Sequence, residues 1–150
     1  MAKTGAKASK RTLAGGCYCG AVRYKVADAF TYALNCHCSQ CRRVTGSAFK
    51  PFAGVPADKL KVTKGKSHLL IFGEETNHNA HCELCGSLLY SIVRDGAYAH
   101  IALGTLIDAP SIRPTAHIFV GSKAPWFTIT DKLPQFKEHV GGRRITEKKR

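Results

Sequence analysis

The stretch Cys36-His37-Cys38-Ser39-Gln40-Cys41 brings three potential metal ligands into six residues. Two further motifs flank it in the sequence, Gly16-Cys17-Tyr18-Cys19-Gly20 and Cys82-Glu83-Leu84-Cys85-Gly86. Together the three motifs contain all seven cysteines of the 150-residue chain. An odd number of clustered thiols is typical of a reducing compartment and indicates metal binding or catalysis rather than disulfides.

The first and third motifs suit one closed metal site. Cys82 and Cys85 are two residues apart, so both thiolates can turn toward the same ion. Cys17 and Cys19 are separated by one residue and project to the same side of an extended segment. Gly86 directly after the third motif permits the tight turn. We predict that these four cysteines bind a structural zinc ion, which would contribute directly to the free energy of folding.

Cys36, Cys38 and Cys41 then form an incomplete tetrahedron. Three protein ligands with an exchangeable fourth position are typical of a catalytic zinc site, and such an ion can hold a substrate thiol as a thiolate. Three thiolates give the site a net negative charge. Arg42 and Arg43 could compensate that charge or bind substrate carboxylates, although a solvated surface position explains them equally well. We therefore expect two zinc ions per chain.

Other interpretations of the cysteines remain open at this point. Disulfides would leave one thiol unpaired, an iron–sulfur cluster needs a four-cysteine cage, and one zinc ion with three buried cysteines is a further alternative. His37 lies between two predicted ligands and should point away from them in an extended segment, which favours a supporting or surface position. His81 could be a spare ligand, whereas His117 has no partner at a ligand spacing.

Short apolar runs with turn residues between them predict a mainly β fold. The residues from Val22 to Val26 alternate with a period of two, which is typical of a half-buried strand. The turn pair Asp95-Gly96 separates two such runs. We predict an antiparallel β-sandwich or open barrel without a long helix. Further strands are predicted at residues 30–34, 48–55, 69–72, 87–93, 98–103, 117–120 and 126–130, and short turns at 39–44 and 57–60.

The formal net charge of +13 is concentrated at the two ends of the chain. Residues 1–11 carry four basic and no acidic side chains, and residues 141–150 carry five basic and one acidic side chain. We therefore predict a disordered basic tail over 1–11, one zinc domain over 12–140 and a basic C-terminal tail over 141–150. Such tails attract nucleic acid or acidic surfaces in a salt-sensitive way, but the interpretation we favour is solubilisation.

The start of the sequence is basic and is not followed by the apolar run of a secretory signal. No stretch approaches the roughly 20 apolar residues of a membrane span. With the seven cysteines, these features predict a cytoplasmic protein without a membrane partner.

The three cysteine motifs, in this order and spacing, resemble the glutathione-dependent formaldehyde-activating enzyme family, whose domain centromere protein V shares. The resemblance extends over about residues 12–137, through His117-Ile118-Phe119-Val120, Ser122-Lys123-x-x-Trp126 and Leu133-Pro134-x-Phe136. It implies an Mss4-like antiparallel β-sandwich with zinc knuckles. It also implies a structural zinc ion on Cys17, Cys19, Cys82 and Cys85 and a catalytic zinc ion on Cys36, Cys38 and Cys41.

The resemblance further implies a carbon–sulfur lyase, which condenses glutathione with formaldehyde to S-(hydroxymethyl)glutathione when the reaction runs toward synthesis. In this hypothesis a glutathione-like thiol is activated at the open zinc site and adds to formaldehyde or a related carbonyl, while Arg42 or Lys50 steadies the developing negative charge. The alternative is a non-catalytic zinc-binding module whose basic tails contact nucleic acid or acidic partners. Specific nucleic-acid binding is not expected, because no basic stripe interleaved with aromatic residues is present in 12–140. A zinc store or redox sensor is a third hypothesis.

Overall fold

The computed structural model describes residues 11–145, which form two compact units. Unit 1 contains the residues up to Thr31 together with Ala53–Ile112, and unit 2 contains Tyr32–Phe52 together with the residues from Arg113 onward. Most of the predicted N-terminal tail and half of the predicted C-terminal tail, residues 1–10 and 146–150, lie outside the described residues.

The regular secondary structure of unit 1 is mostly antiparallel strands. Its strands are β1 (Thr12–Gly16), β2 (Arg23–Ala27), β4 (Lys50–Pro56, which begins in unit 2), β5 (Leu60–Lys64), β6 (Leu69–Glu74), β7 (Asn77–Cys82), β8 (Leu88–Val93) and β9 (Tyr98–Ala102). Strands β1, β2 and β5 form a three-stranded sheet in that order, and β9, β8, β7 and β6 follow the second half of β4 in another.

Alternating side chains of these strands make the core of unit 1. Tyr24 and Val26 of β2 are buried while Lys25 between them is exposed, so the period of two in the sequence is expressed directly. The core cluster also includes Cys17 and Cys82, which belong to the first and third cysteine motifs. These two motifs are therefore attached to the most buried part of the unit.

Unit 2 is smaller, and its described residues contain one α-helix. Strand β3 (Tyr32–Cys36) pairs in parallel with the short strand β10 (His117–Ile118) and leads into helix α1 (Ser39–Thr45). Its apolar cluster centres on Cys36, Phe52 and Ile118. Farther along the chain, the amide of Ile145 donates to the carbonyl of Gln135 over 2.8 Å.

The predicted mainly β fold with cysteine knuckles is confirmed, and three details differ. The turn predicted at 39–44 is the helix α1, whose last turn ends at Gly46 in the left-handed region. The strand predicted at 126–130 is wrong: this segment contains no strand, and the ammonium group of Lys123 donates instead to the carbonyls of Ala124 and Phe127. Strands β1, β5 and β7 were not predicted: β1 ends in two glycines, β5 begins at the last residue of the turn predicted at 57–60, and β7 is mostly polar.

Candidate metal centres

The first centre is the four-cysteine cluster of unit 1, formed by Cys17, Cys19, Cys82 and Cys85. The four sulfur atoms all lie within 4.8 Å of one another. The Sγ atom of Cys19 is 3.6 Å from that of Cys17 and 3.7 Å from that of Cys82. Four sulfurs at about 2.3 Å from a tetrahedral zinc ion would be about 3.8 Å apart. The donor set and its spacing therefore fit a closed tetrahedral metal site.

The knuckle that carries Cys17 is built by hydrogen bonds to Val22. The amide of Cys17 donates to the carbonyl of Val22 over 3.1 Å, and the amide of Val22 donates to the Cys17 sulfur over 3.2 Å. Gly20 closes the turn with a φ of 82°, a conformation that favours glycine. The chain therefore reverses within this motif and presents both of its sulfurs to one point.

The second knuckle begins at Cys82, the last residue of β7. The amide of Gly86 donates to the carbonyl of Cys82 over 2.8 Å. The hydroxyl of Ser87 lies 3.2 Å from the sulfur of Cys85 and accepts from the amide of Tyr18 over 3.1 Å, so it joins the two knuckles. Hydrogen bonds from Ser87 are the main cause that lowers the pKa of Cys85 to about 5, which favours the thiolate needed for metal binding.

The second centre is the three-cysteine cluster of unit 2, formed by Cys36, Cys38 and Cys41. Its three sulfurs also lie within 4.8 Å of one another, and no fourth His, Cys, Asp or Glu ligand atom joins them among residues 11–145. Cys36 ends strand β3, and Cys38 is the N-cap of α1, where its sulfur accepts from the amide of Cys41 over 3.2 Å. The short helix therefore brings Cys41 back toward the other two thiols.

Electrostatics within this cluster favours a thiolate at Cys41. A hydrogen bond from Cys36 is the main cause that lowers the pKa of Cys41 to about 6, against the opposing effect of burial, and the charge of Lys50 lowers it further. The same hydrogen bond, together with burial, raises the pKa of Cys36. The cluster is thus arranged to stabilise negative charge on sulfur beside a buried cation.

Lys50 is that cation. It is only 6% exposed, and it interacts electrostatically with all three thiols. Its Nζ lies 5.7 Å from the centre of the Phe52 ring. Burial lowers the pKa of Lys50, whereas the three cysteines raise it. A buried ammonium group at this point can compensate thiolate charge more effectively than an exposed one.

The two arginines after the motif differ from each other. Arg43 is exposed, in line with a solvated surface position. Arg42 is partly buried, and its Nε atom is fully buried without a hydrogen-bond partner. Because Nε has no accessible surface, only the rest of the guanidinium group could meet an incoming anionic group.

His37 is completely buried rather than on the surface. Its Nε2 atom lies 2.8 Å from Nδ1 of His117, and Nε2 of His117 lies 2.9 Å from a carboxylate oxygen of Asp131. Sequence reasoning gave His37 a supporting position but found neither partner. The two histidines are 80 positions apart in the sequence, so no local spacing could have indicated the pair.

Comparison with known proteins decides the family. The family model described as "Glutathione-dependent formaldehyde-activating enzyme" matches residues 12–122. The chain belongs to this family. It is 30% identical over 132 residues to a Halomonas elongata protein that carries a provisional name as a glutathione-dependent formaldehyde-activating enzyme, with 80% of this chain and 82% of the relative covered.

The family match includes all seven cysteines and ends before the motifs at Trp126 and Leu133 that extended the resemblance to residue 137. A crystal structure of a Rhodobacter sphaeroides protein is similar to this chain, with a TM-score of 0.55 and 28% identity over 66% of this chain and 92% of that one. Among residues 11–145, no helix is long and apolar enough to cross a membrane.

Proposed function

We propose that the protein uses the three-cysteine cluster to activate a glutathione-like thiol for addition to formaldehyde or a related small aldehyde. The observation that carries the proposal is the pairing of an incomplete ligand set with the buried cation Lys50. Family membership supports the class of reaction. The seven free thiols fit a reducing compartment, and we propose the cytoplasm.

We propose zinc as the ion at both clusters, because tetrahedral sites made only of thiolates are typical of zinc. Cys17, Cys19, Cys82 and Cys85 would hold the structural ion, and Cys36, Cys38 and Cys41 the catalytic one. Bound at the three cysteines, zinc would act as a Lewis acid that favours the thiolate form of a substrate thiol.

The side chains around the three-cysteine cluster have separate tasks in this reaction. The substrate thiol gives up its proton, its sulfur forms a bond to the carbonyl carbon, and the carbonyl π electrons move to oxygen, which takes up a proton. Lys50 stabilises the negative charge that passes from sulfur to oxygen, because its ammonium group is held in a buried site. The part of the Arg42 guanidinium group other than the buried Nε donates to a carboxylate of the thiol substrate.

The product of this addition is a hemithioacetal. It is S-(hydroxymethyl)glutathione when the thiol is glutathione and the aldehyde is formaldehyde. In the reverse direction a carbon–sulfur bond breaks and the aldehyde is released, which is a lyase reaction. No oxidant or reductant is needed in either direction.

Calorimetric titration of glutathione into the zinc-loaded protein tests the proposal. We expect saturable binding that is lost in Cys38→Ser, and proton NMR should show formation of the adduct with formaldehyde accelerated by the unmodified chain only. S-methylglutathione, which has no free thiol, is the matched ligand control and should bind far more weakly. Equal binding of glutathione to the Cys38→Ser variant, or no acceleration by the unmodified chain, would reject the proposal.

A further inference from the structure

A chain of hydrogen bonds runs through unit 2 and ends at the buried His37, which lies between two of the three clustered cysteines in the sequence. Asp131 contacts Nε2 of His117 with both carboxylate oxygens, at 2.9 and 3.1 Å. Nδ1 of His117 lies 2.8 Å from Nε2 of His37. The side chain of His117 is 2% exposed, whereas that of Asp131 is 48% exposed. One end of the chain therefore reaches solvent and the other is enclosed.

The order of donors and acceptors along this chain follows from Asp131. An ionised carboxylate only accepts, so Nε2 of His117 must donate to it. Nδ1 of a neutral His117 is then an acceptor, and Nε2 of His37 must donate to that atom. Burial raises the pKa of Asp131, but the hydrogen bond from His117 and the amide of Leu133 outweigh it and lower the pKa. The carboxylate is thus ionised at neutral pH, and it sets the tautomer of both rings.

Packing holds His37 in the orientation that this tautomer requires. Its ring centre lies 5.0 Å from that of Phe49 and 6.1 Å from that of Phe127. Its amide donates to the carbonyl of Ile118 over 2.9 Å, next to the parallel pairing of Ile118 with Cys36. Main chain and side chain of His37 are therefore both fixed.

We propose that Asp131 and His117 are positioning residues for the three-cysteine cluster. Because His37 lies between Cys36 and Cys38 in the sequence, fixing its ring fixes the peptide from which the two thiols project. The chain from Asp131 thereby gives these sulfurs their metal-binding geometry before an ion arrives. This inference rests on the proposed metal binding of the cluster, but it does not depend on which thiol or aldehyde reacts there.

The experiment compares variants by cadmium NMR and by zinc release. Cadmium substitution should give the unmodified chain two resonances, one for the four-sulfur site and one for the three-sulfur site. In Asp131→Ala and in His117→Leu, we expect the three-sulfur resonance to shift or broaden, and the zinc of that site to dissociate about tenfold faster or more. The four-sulfur resonance should change little, which also shows that the variants are folded.

Two further variants make the test specific. Gln at position 37 keeps a donor close to the place of Nε2 and Leu does not, so His37→Gln should retain tighter zinc binding than His37→Leu. Asp58→Ala, at an exposed position of unit 1, is the matched control for Asp131→Ala and should leave both resonances unchanged. Unaltered three-sulfur resonance and zinc release in both Asp131→Ala and His117→Leu would overturn the inference, and so would equal effects on the two sites.

The glutathione titration of the unmodified chain tests the proposed function separately. If glutathione does not bind but the cadmium results are as expected, the positioning inference stands and the proposed substrate is wrong. If glutathione binds and the cadmium results are absent, the proposed function stands and the positioning inference is wrong.

Discussion

The two cysteine clusters are made from the same side chain but from very different lengths of chain. The four-cysteine cluster joins motifs 63 residues apart between Cys19 and Cys82. The three-cysteine cluster is contained in residues 36–41. An ion at the first site would close a long loop, so its binding free energy is coupled to folding. An ion at the second site closes only a turn, so it can be lost without unfolding the chain.

The residues around the two clusters also differ, and they too suit a structural role for the first cluster and a reactive role for the second. Cys17 and Cys82 are buried in the core of unit 1, and the knuckle hydrogen bonds come from neutral groups of the main chain and Ser87. The three-cysteine cluster has an ammonium group, Lys50, buried beside it. A closed four-thiolate site has no remaining position for a reactant. A three-thiolate site leaves one coordination position open for a reactant. The ammonium group beside it can stabilise negative charge during the reaction.

The largest effect is expected from Cys85→Ser, which removes one ligand of the four-cysteine cluster. The apparent free energy of structural zinc binding, about 10–16 kcal/mol, is as large as the whole stability of a typical domain. We expect the variant to lose the strand signal in circular dichroism and to be rapidly proteolysed. Cys38→Ser is the matched control and should keep its far-ultraviolet spectrum. Equal melting temperatures of the two variants would remove the distinction between the clusters.

A smaller effect is expected from Lys50→Met, which keeps the length of the side chain and removes its charge. Without the cation, three thiolates repel one another more strongly, so turnover should fall by about a hundredfold and zinc at this cluster should bind less tightly. Steady-state kinetics and competition with a chromophoric chelator measure the two quantities. Lys61→Met, at an exposed position of β5, is the control and should behave like the unmodified chain. Unchanged kcat in Lys50→Met would show that the buried cation has no part in the reaction.

Several of these features could be predicted from the sequence because the determining contacts are local. The cysteine spacings grouped the seven thiols into the two clusters that the structure contains, and the alternation around Tyr24 predicted a strand that is present. Strand β7 was not predicted because Asn77–Cys82 is polar, and its place is set by pairing with β6 and β8. The segment 126–130 resembles a strand in composition, but Trp126 is 70% exposed and the segment has no partner strand.

The parts of the site that the sequence did not indicate depend on distant contacts. His117 and Asp131 come next to His37 only after β10 has paired with β3. The sequence indicated Lys50 only as one of two residues that could stabilise developing negative charge. Its burial beside the thiols follows from the position of β4, which no spacing rule gives. Sequence patterns therefore predicted which cysteines cluster and left most of the residues around the clusters unidentified.

The smallest expected effect is a loss of stability at alkaline pH, which arises in the core of unit 1. Burial raises the pKa of Tyr24 to about 12, against the hydrogen bond with Thr105, while the unfolded chain has a value of about 10. The neutral phenol therefore stabilises the fold fully below pH about 10, and this contribution, on the order of 2 kcal/mol, is lost as the pH rises toward 12. Denaturant titrations from pH 9 to 12 measure it.

Tyr24→Phe is the control for this prediction. It removes the 2.7 Å hydrogen bond to Thr105, so it should be slightly less stable at neutral pH, but it should lose less stability than the unmodified chain between pH 10 and 12. Identical pH dependence of the two proteins would show that the phenol does not contribute to the alkaline loss of stability.

Stepwise removal of metal from the fully loaded protein tests the difference between the clusters most directly. A chelator is added in increments while released zinc, the circular dichroism spectrum and the binding of glutathione are recorded on the same sample. Our account predicts that the first equivalent of zinc leaves with loss of glutathione binding and an unchanged spectrum, and that the second leaves with unfolding. Unfolding with the first equivalent, or glutathione binding that outlasts it, would contradict the account.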